Sequence, residues 1–403
     1  MKIAILTDQY QPESVGGAET VAANLAKAYQ AKNNEVIIIT TTRNNSELIH
    51  QKIDDIEVYR IPSIFHPRWR HWLGMFNPPV ISQLNKLLKD LKPDVVHAHN
   101  LHQYLSLYSL AVAKKYASKV ILTLHDAMLI HYGKITEINI INPQQTSLKI
   151  NVLKQIKIAK LTYNPFRNYF YKKMLRKCDY VFAVSKALKK VYELNGIKVD
   201  KVIYNGININ PSNLTNKTSL KINRMLSKTK NIVFAGRVSE NKGAIAAIDM
   251  LDKLVQQRQD VRLIILGEKT SSLNNVINYA KKKALEKYVY ISGWISASDM
   301  PAYYKLADVV VVPSIYWDPC PIIVMEAMLY KKPVVGSFYG GMSEIIVHNK
   351  TGFIINPLDS QAFAQAVIMA ISNDKLGIEG YKRVNKYFSS YRQAEEYLNY
   401  FKV

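Results

Sequence analysis

Three stretches of the chain carry residue types suited to gripping a phosphorylated, hydroxyl-rich ligand. The densest runs from Pro313 to Met328 and reads PSIYWDPCPIIVMEAM. Its two carboxylates, Asp318 and Glu326, are separated by seven residues. An ionised carboxylate accepts several hydroxyl donors at once, so the pair suits sugar hydroxyls. The backbone N–H groups of Ile322, Ile323 and Val324 stand at the expected start of a helix, where unpaired donors favour an anion. Glu326 alone would serve equally well as an acid complementing a helix dipole. Nothing structural, however, requires Trp317, Asp318, Pro319, Cys320 and Pro321 together. The second stretch, Gly236-Arg237-Val238-Ser239-Glu240-Asn241-Lys242-Gly243, sets two cations after an apolar run and before a helix. Such cations can hold a diphosphate and neutralise charge as it leaves. The third, Gly16-Gly17, precedes a helix near Ala18, and glycine permits close approach of backbone to ligand.

Other chemistries find less support. Gly16-Gly17 does not belong to a GxGxxG dinucleotide fingerprint. His97 and His99 lie two residues apart with no HExxH pattern and no partnered cysteines, so no metal site is expected. His97 reads as a core histidine, and His99 with Asn100 as lining a site. Ser185 follows an apolar run without the G-x-S-x-G elbow of a serine nucleophile.

The elements that must position these residues follow from the apolar pattern. Runs at Lys2–Thr7, Glu35–Thr41, Asp94–His97, Lys119–Leu124, Tyr180–Val184 and Lys201–Tyr204 are rich in Val and Ile with few polar breaks. Strands buried on both faces of a parallel sheet have this composition. Helical patterns lie between them, as at Glu19–Tyr29 and Val80–Leu91. After a polar segment, Ser212–Lys230, the alternation restarts at Asn231–Ala235, Val261–Leu266, Tyr288–Ser292, Asp308–Val312, Pro333–Val335 and Gly352–Ile355. The pattern predicts two doubly wound α/β domains, with ligands outside the carboxyl ends of their strands and a cleft between the sheets as the natural site. The chain has 403 residues, 48% hydrophobic and 21% charged, enough for two such cores. Its two cysteines, Cys178 and Cys320, cannot build a disulfide framework and suit a reducing cytosol. No apolar run reaches the ~18 residues of a membrane span, and the N-terminus lacks the features of a leader peptide.

The string from Pro313 to Glu344 resembles the signature of the retaining GT-B glycosyltransferases of family 4, the glycosyl transferases group 1. That family carries Glu-x7-Glu, a Pro-Val-Val strand, a Gly-Gly loop and a later Glu. Here these read Asp318-x7-Glu326, Pro333-Val334-Val335, Gly340-Gly341 and Glu344. Gly16-Gly17, His125-Asp126, Ser185, Asn205-Gly206, Gly236-Arg237 with Lys242, and Gly293 match in order. The resemblance spans most of the chain. It implies a GT-B fold: two Rossmann-like doubly wound parallel-sheet domains facing a cleft, with a C-terminal helix crossing back to the first. Residues 1–206 would bind the acceptor, 207–380 the nucleotide-sugar donor, and 381–403 would form the returning helix.

The same resemblance implies roles. Arg237 and Lys242, beside Gly236, would hold the donor diphosphate. Glu326 would bind the ribose hydroxyls, and Asp318 the hydroxyls of the donor sugar. His125 would approach that sugar near the reacting centre, and Gly16 and Gly17 would let it come close. Gly293, Trp294 and Ile295 would offer backbone groups to the base, and the starts of Ile322, Ile323 and Val324 would meet phosphate. No cofactor or bound metal is implied; a UDP- or GDP-sugar is the donor substrate. Two positions depart from the pattern. Asp318 stands where the family has Glu, shortening its reach by about 1.5 Å. Gly267-Glu268-Lys269 replaces a Gly-x-Gly turn.

The net charge of +23 asks for an anionic partner. From Ile138 to Cys178 there is no acidic residue. Lys149, Lys154, Lys157, Lys160, Arg167, Lys172, Lys173, Arg176 and Lys177 interleave there with Tyr163, Phe166, Tyr169, Phe170 and Tyr171. Val152, Ile156, Ala159 and Tyr163 have the spacing of one helical face, and His66–Trp72 has a similar basic aromatic character. Such segments lie on anionic membrane surfaces, or pack their apolar face on the sheet. The expectation is a hexosyltransferase at the cytoplasmic face of the membrane, acting on a lipid-linked or polysaccharide acceptor in envelope glycan synthesis. A nucleotide-sugar epimerase and a catalytically silent sugar-nucleotide binder are the alternatives. No nucleic-acid-binding motif accompanies the charge.

Overall fold

The computed structural model describes residues 1–13, 16–136, 147–209, 229–267 and 271–402. They form two compact units. The first comprises the described residues within Met1–Ile135, Ser147–Asn208 and Ser390–Val403; the second comprises those within Ile209–Ser389.

The first unit holds an eight-stranded sheet. Its strands are β1 (Lys2–Thr7), β2 (Glu35–Thr42), β3 (Ile49–Ile53), β4 (Ile56–Pro62), β5 (Val95–His99), β6 (Lys119–Leu124), β7 (Tyr180–Ala183) and β8 (Lys201–Val202), in the order β3-β4-β2-β1-β5-β6-β7-β8. All pair in parallel except β3 with β4. The unbroken apolar runs of β1, β2 and β6 are buried on both faces, as expected of a parallel sheet. The β3–β4 hairpin was not among the expected strands. Its residues alternate polar and apolar at a half-exposed edge, and the signal is the Asp54-Asp55 turn, both at positive φ. The helices are α1 (Gly17–Gln30), α2 (Arg70–Leu73), α3 (Pro78–Leu91), α4 (Ser109–Tyr116), α5 (Val152–Ala159), α6 (Arg167–Leu175) and α7 (Lys186–Leu194).

The second unit holds β9 (Lys230–Phe234), β10 (Val261–Ile265), β11 (Val289–Ile291), β12 (Val309–Val312), β13 (Val334–Ser337) and β14 (Gly352–Ile355), all parallel, in the order β11-β10-β9-β12-β13-β14. Its helices are α8 (Ala244–Val255), α9 (Ser271–Lys282), α10 (Met300–Leu306), α11 (Ile322–Leu329), α12 (Met342–Ile345), α13 (Ser360–Ile371) and α14 (Asp374–Tyr387). Phe234, Leu251, Val309 and Phe363 are buried in its core.

The expected C-terminal tail, 381–403, divides at Ser389. Helix α14 stays in the second unit, while α15 (Ser390–Phe401) belongs to the first and packs on α1. A buried polar chain fastens it. Tyr29 Oη lies 3.1 Å from His97 Nδ1, His97 Nε2 lies 2.8 Å from Thr123 Oγ1, and Thr123 Oγ1 lies 2.8 Å from Tyr397 Oη. His97 is thus the core histidine the sequence suggests.

Each sheet reverses its strand order once, at β1/β5 and at β9/β12. The carboxyl ends beside those reversals are where open α/β sheets take ligands.

Candidate active site

In the second unit the loops after β9 and β12 meet. Beyond β9 the backbone turns at Gly236, with φ 135°, and again at Gly243, with φ 79°. A methyl group on Gly243 would stand 1.9 Å from the carbonyl oxygen of Pro313, so glycine alone lets the two loops touch. Ile315 N donates to Asn241 O at 2.9 Å and closes the junction.

This contact brings Lys242 to Asp318. Lys242 Nζ lies 2.8 Å from Asp318 Oδ2, with the carboxylate only 6% exposed. Ser314 Oγ donates to the same oxygen at 3.1 Å, and Lys242 Nζ sits 5.0 Å from the Tyr316 ring centre. Asp318 Oδ1 and two of the three ammonium hydrogens stay free of this bond. The Gly340-Gly341 loop braces Asp318 from behind. Gly341 N donates to Asp318 O at 2.8 Å, and Gly340, at φ 84°, lies so close that a methyl group would fall 2.2 Å from that oxygen. Glu344, in the first turn of α12, gives its carbonyl to Arg383 Nη2 at 2.8 Å.

Gly236 faces both Lys242 and Ile323; a methyl group on it would lie 4.0 Å from Lys242 Cδ and 3.8 Å from Ile323 Cδ1. Ile322, Ile323 and Val324 open α11, whose cap residue Pro321 contributes no side-chain hydrogen bond. One turn on, Glu326 accepts from Tyr304 Oη at 2.7 Å, and burial raises its carboxyl above the usual range. Tyr304 of α10 was not foreseen, because its partnership needs the fold. Arg237 is exposed and makes no ion pair among the described residues. Gly293 is bridged to Gly267, which packs against Val238, so it joins the same loop cluster. Trp294 is 69% exposed and Ile295 half-buried. Glu268 and Lys269 lie outside the described residues.

In the first unit His125 follows β6 directly. Its backbone N–H donates to Asn100 Oδ1 at 2.9 Å, and its Nε2 lies 2.8 Å from His99 Nδ1. Burial lowers its pKa to about 4, so the ring is neutral at pH 7. His99, expected to line the site, is itself buried and supports His125 from below. Asn100 donates to Asp126 Oδ2 at 3.0 Å.

Two unforeseen residues shape these loops. Asp8 accepts the backbone N–H groups of Gln103, Tyr104 and Leu105 at 2.8–2.9 Å, fixing the loop after β5. Buried Arg60 donates to the carbonyls of Tyr10 and Gln11 and pairs with Glu13 at 3.8 Å, holding the chain ahead of Gly16. Gly16 caps α1 and packs on Glu19; a methyl group on Gly17 would meet nothing within 4 Å. Ser185 caps α7 by accepting from Leu188 N at 3.1 Å, a structural role. Among the described residues no group of three or more His, Cys, Asp and Glu could hold a metal ion.

The basic aromatic segment departs from the amphipathic expectation. Helix α5 ends at Ala159, Lys160 turns at φ 50°, and Tyr163 lies beyond the helix. Val152, Leu153, Ile156 and Ile158 face outward rather than onto the sheet, because Gln155 and Ala159 take the inward side. Leu161, Phe166 and Tyr169 are also exposed, as are Trp69 and Trp72. The turn Pro67–Trp69 touches the turn Lys160–Thr162, joining the two segments in one surface. Arg167, one of the basic residues of this segment, is only 1% exposed. No described helix is long and apolar enough to cross a membrane.

Two sheets of this topology, each with a switch point, have the architecture of the GT-B fold. The Anabaena protein HepE, solved with UDP and glucose, shares the fold at a TM-score of 0.69 and 20% identity over 99% of both chains. The family model described as Glycosyltransferase Family 4 matches residues 15–210, and that described as Glycosyl transferases group 1 matches residues 216–388. Together the two matches support a GT-B glycosyltransferase of the group 1 type. An uncharacterized glycosyltransferase of Methanocaldococcus jannaschii is 28% identical over 100% of this chain and 98% of its own. A lipopolysaccharide 1,2-N-acetylglucosaminetransferase of Salmonella typhimurium is 26% identical over 40% of this chain and 44% of its own.

Proposed function

We propose that the protein transfers a hexose, with retention of anomeric configuration, from a nucleotide-diphosphate sugar to a lipid-linked or polysaccharide acceptor in envelope glycan synthesis. The observation that carries this reading is the Lys242–Asp318 pair, set beside Gly236 and the open start of α11 at a sheet switch point. A cation and a carboxylate locked together can serve both ends of a sugar diphosphate. Lys242 keeps hydrogens for phosphate oxygens, and Asp318 keeps an oxygen for a sugar hydroxyl.

In this reading Arg237 and Lys242 neutralise the diphosphate as it departs, which lowers the barrier for leaving-group loss. The N–H groups of Ile322 and Ile323 add the partial positive charge of a helix start, whereas that of Val324, expected to be unpaired, donates to Pro321 O at 3.2 Å. Glu326, steadied by Tyr304, takes the ribose hydroxyls, and Gly293, Trp294 and Ile295 meet the base. Neutral His125 donates or accepts at the sugar without adding charge. Gly16 and Gly17 leave room for the donor. The acceptor attacks from the side the nucleotide leaves, so no covalent residue is needed, and Arg237 and Lys242 supply the positive charge that a metal would otherwise bring to the leaving group. The donor to try first is UDP-glucose, which a second HepE structure holds. The Salmonella relative's lipopolysaccharide substrate supports an envelope acceptor. The exposed apolar and basic surface of α5 and the Trp69–Trp72 segment supports work at the inner face of the membrane, at about 1 kcal/mol per basic residue near anionic lipid.

The test is incubation with radiolabelled sugar nucleotides and membrane extract, followed by the anomeric configuration of the product. Labelled glycan of the donor's configuration is expected. Conversion of free donor without acceptor identifies an epimerase instead, and donor binding with neither outcome identifies a silent relative.

A further inference from the structure

The first unit contains a cavity of about 40 Å³ lined by Arg70, His71, His102, Gln103 and Arg167 together with Phe65 and Met128. A water needs roughly 10–15 Å³, so the space admits a group larger than one water. Among the described residues no acidic side chain lines it. Arg167, 1% exposed, lies with its guanidinium 4.2 Å from the Tyr132 ring centre and 5.0 Å from that of Tyr171. Its Nη2 donates to the carbonyls of Met128 and His131. Its Nε and Nη1 have no hydrogen-bond partner among the described residues, nor does His102 Nδ1. Arg70 spends one nitrogen on His71 and another on Tyr132 O. Two guanidinium groups at close quarters without a carboxylate repel each other, and buried unpaired donors cost free energy.

An arrangement of this kind is stabilised by an anion. We propose that this cavity binds a phosphate group carried by the acceptor. The guanidinium fork matches phosphate oxygens, and both arginines converge on the cavity. The place fits as well. His102 and Gln103 follow β5, the loop with Met128 follows β6, and the former loop is pinned by Asp8 after β1. The cavity therefore opens at the end of the sheet that carries His125. The assignment of the phosphate to an acceptor rests on the transferase reading above; the anion site itself rests on the geometry.

The experiment is calorimetric titration of inorganic phosphate, at constant ionic strength, into the wild-type protein and into Arg70→Gln, Arg167→Gln and Arg237→Ala. Expected is a phosphate site weakened at least tenfold in the first two variants and retained in Arg237→Ala. If Arg167→Gln fails to fold, Arg70→Gln decides. Unchanged phosphate affinity in folded Arg70→Gln, or a site lost only in Arg237→Ala, overturns the proposal. Two further probes separate the sources: glucose 1-phosphate in solution, and phosphatidylcholine vesicles containing undecaprenyl phosphate. Arginine-dependent binding of either supports the site and names the source; arginine-independent binding of both overturns it. Binding of UDP-glucose by the same variants reports on the transferase reading separately.

Discussion

At the residue scale, the site depends on partners that no local pattern announces. Asp318 is legible as one acid of a spaced pair, but its bond to Lys242 joins residues 76 apart in sequence. The structure adds the lysine as the group that orients the carboxylate. Gly17 offers a clean trial of ligand proximity. Among the described residues nothing lies within 4 Å of a methyl group placed there. Gly17→Ala should therefore leave the melting temperature unchanged or slightly higher while weakening use of the donor sugar at least tenfold; equal turnover would remove Gly17 from the site. His97 tests burial. Its pKa falls from 6.5 to about 3, chiefly through loss of solvent. The folded state thus refuses a proton that the unfolded state accepts below pH 6.5. The stability involved is fully present above that pH and is lost as pH falls toward 3. Between pH 6.5 and 5 this amounts to about 2 kcal/mol. Urea unfolding at both pH values should show His97→Gln losing correspondingly less stability on acidification than the wild type; equal losses would contradict the account.

At the element scale, loops brought together by glycine make the site. Gly340 is held at φ 84° against the Asp318 backbone. Gly340→Ala should cost more than about 1 kcal/mol in urea unfolding, because an L side chain resists that conformation and the neighbouring backbone cannot yield. Turnover should fall with it, and a variant of wild-type stability and activity would show that the brace is dispensable. Helix α5 makes a different prediction. Its outward Leu153 and Ile156 flank Lys154 and Lys157. Sedimentation with anionic vesicles should be strong at low salt, weaken at high salt and drop at least several-fold in Leu153→Glu/Ile156→Glu; equal retention would place membrane contact elsewhere or nowhere. Much of this architecture was readable in advance. Strands such as β1 and β6 are continuous apolar runs because both faces are covered, so their ends fell where expected. Strand β3 escaped because an edge strand needs only one covered face, and β4, though mostly buried, because polar residues interrupt its apolar run. The inward side of α5 escaped because Gln155 and Ala159, not its larger apolar residues, meet the body of the unit. The burial of Arg167 was not legible for a related reason: composition counts charges but cannot tell which of them fold inward.

At the scale of the whole molecule, the chain builds two switch-point sheets and returns to the first with its final helix. Tyr397 and Phe401 of α15 are fully buried, and the Phe401 ring packs at a tilt of 52° against that of Tyr29, 5.4 Å between centres. Each such side chain contributes about 1.5–3 kcal/mol by burial. Truncation after Ser389 should therefore destabilise the first unit by roughly 5 kcal/mol and strip protection from the amides of β1 and β5 in hydrogen exchange. Unchanged protection there would mean that α15 is an ornament. The division of labour itself, with the second unit holding the donor through Arg237, Lys242, Asp318 and Glu326, is the claim on which the function turns. Calorimetric titration of UDP-glucose and GDP-mannose into the wild type, Arg237→Ala and Glu326→Gln tests it most directly. The account predicts saturable binding of one nucleotide sugar by the wild type and at least tenfold weaker binding by each folded variant. Binding of equal strength in all three proteins would contradict it.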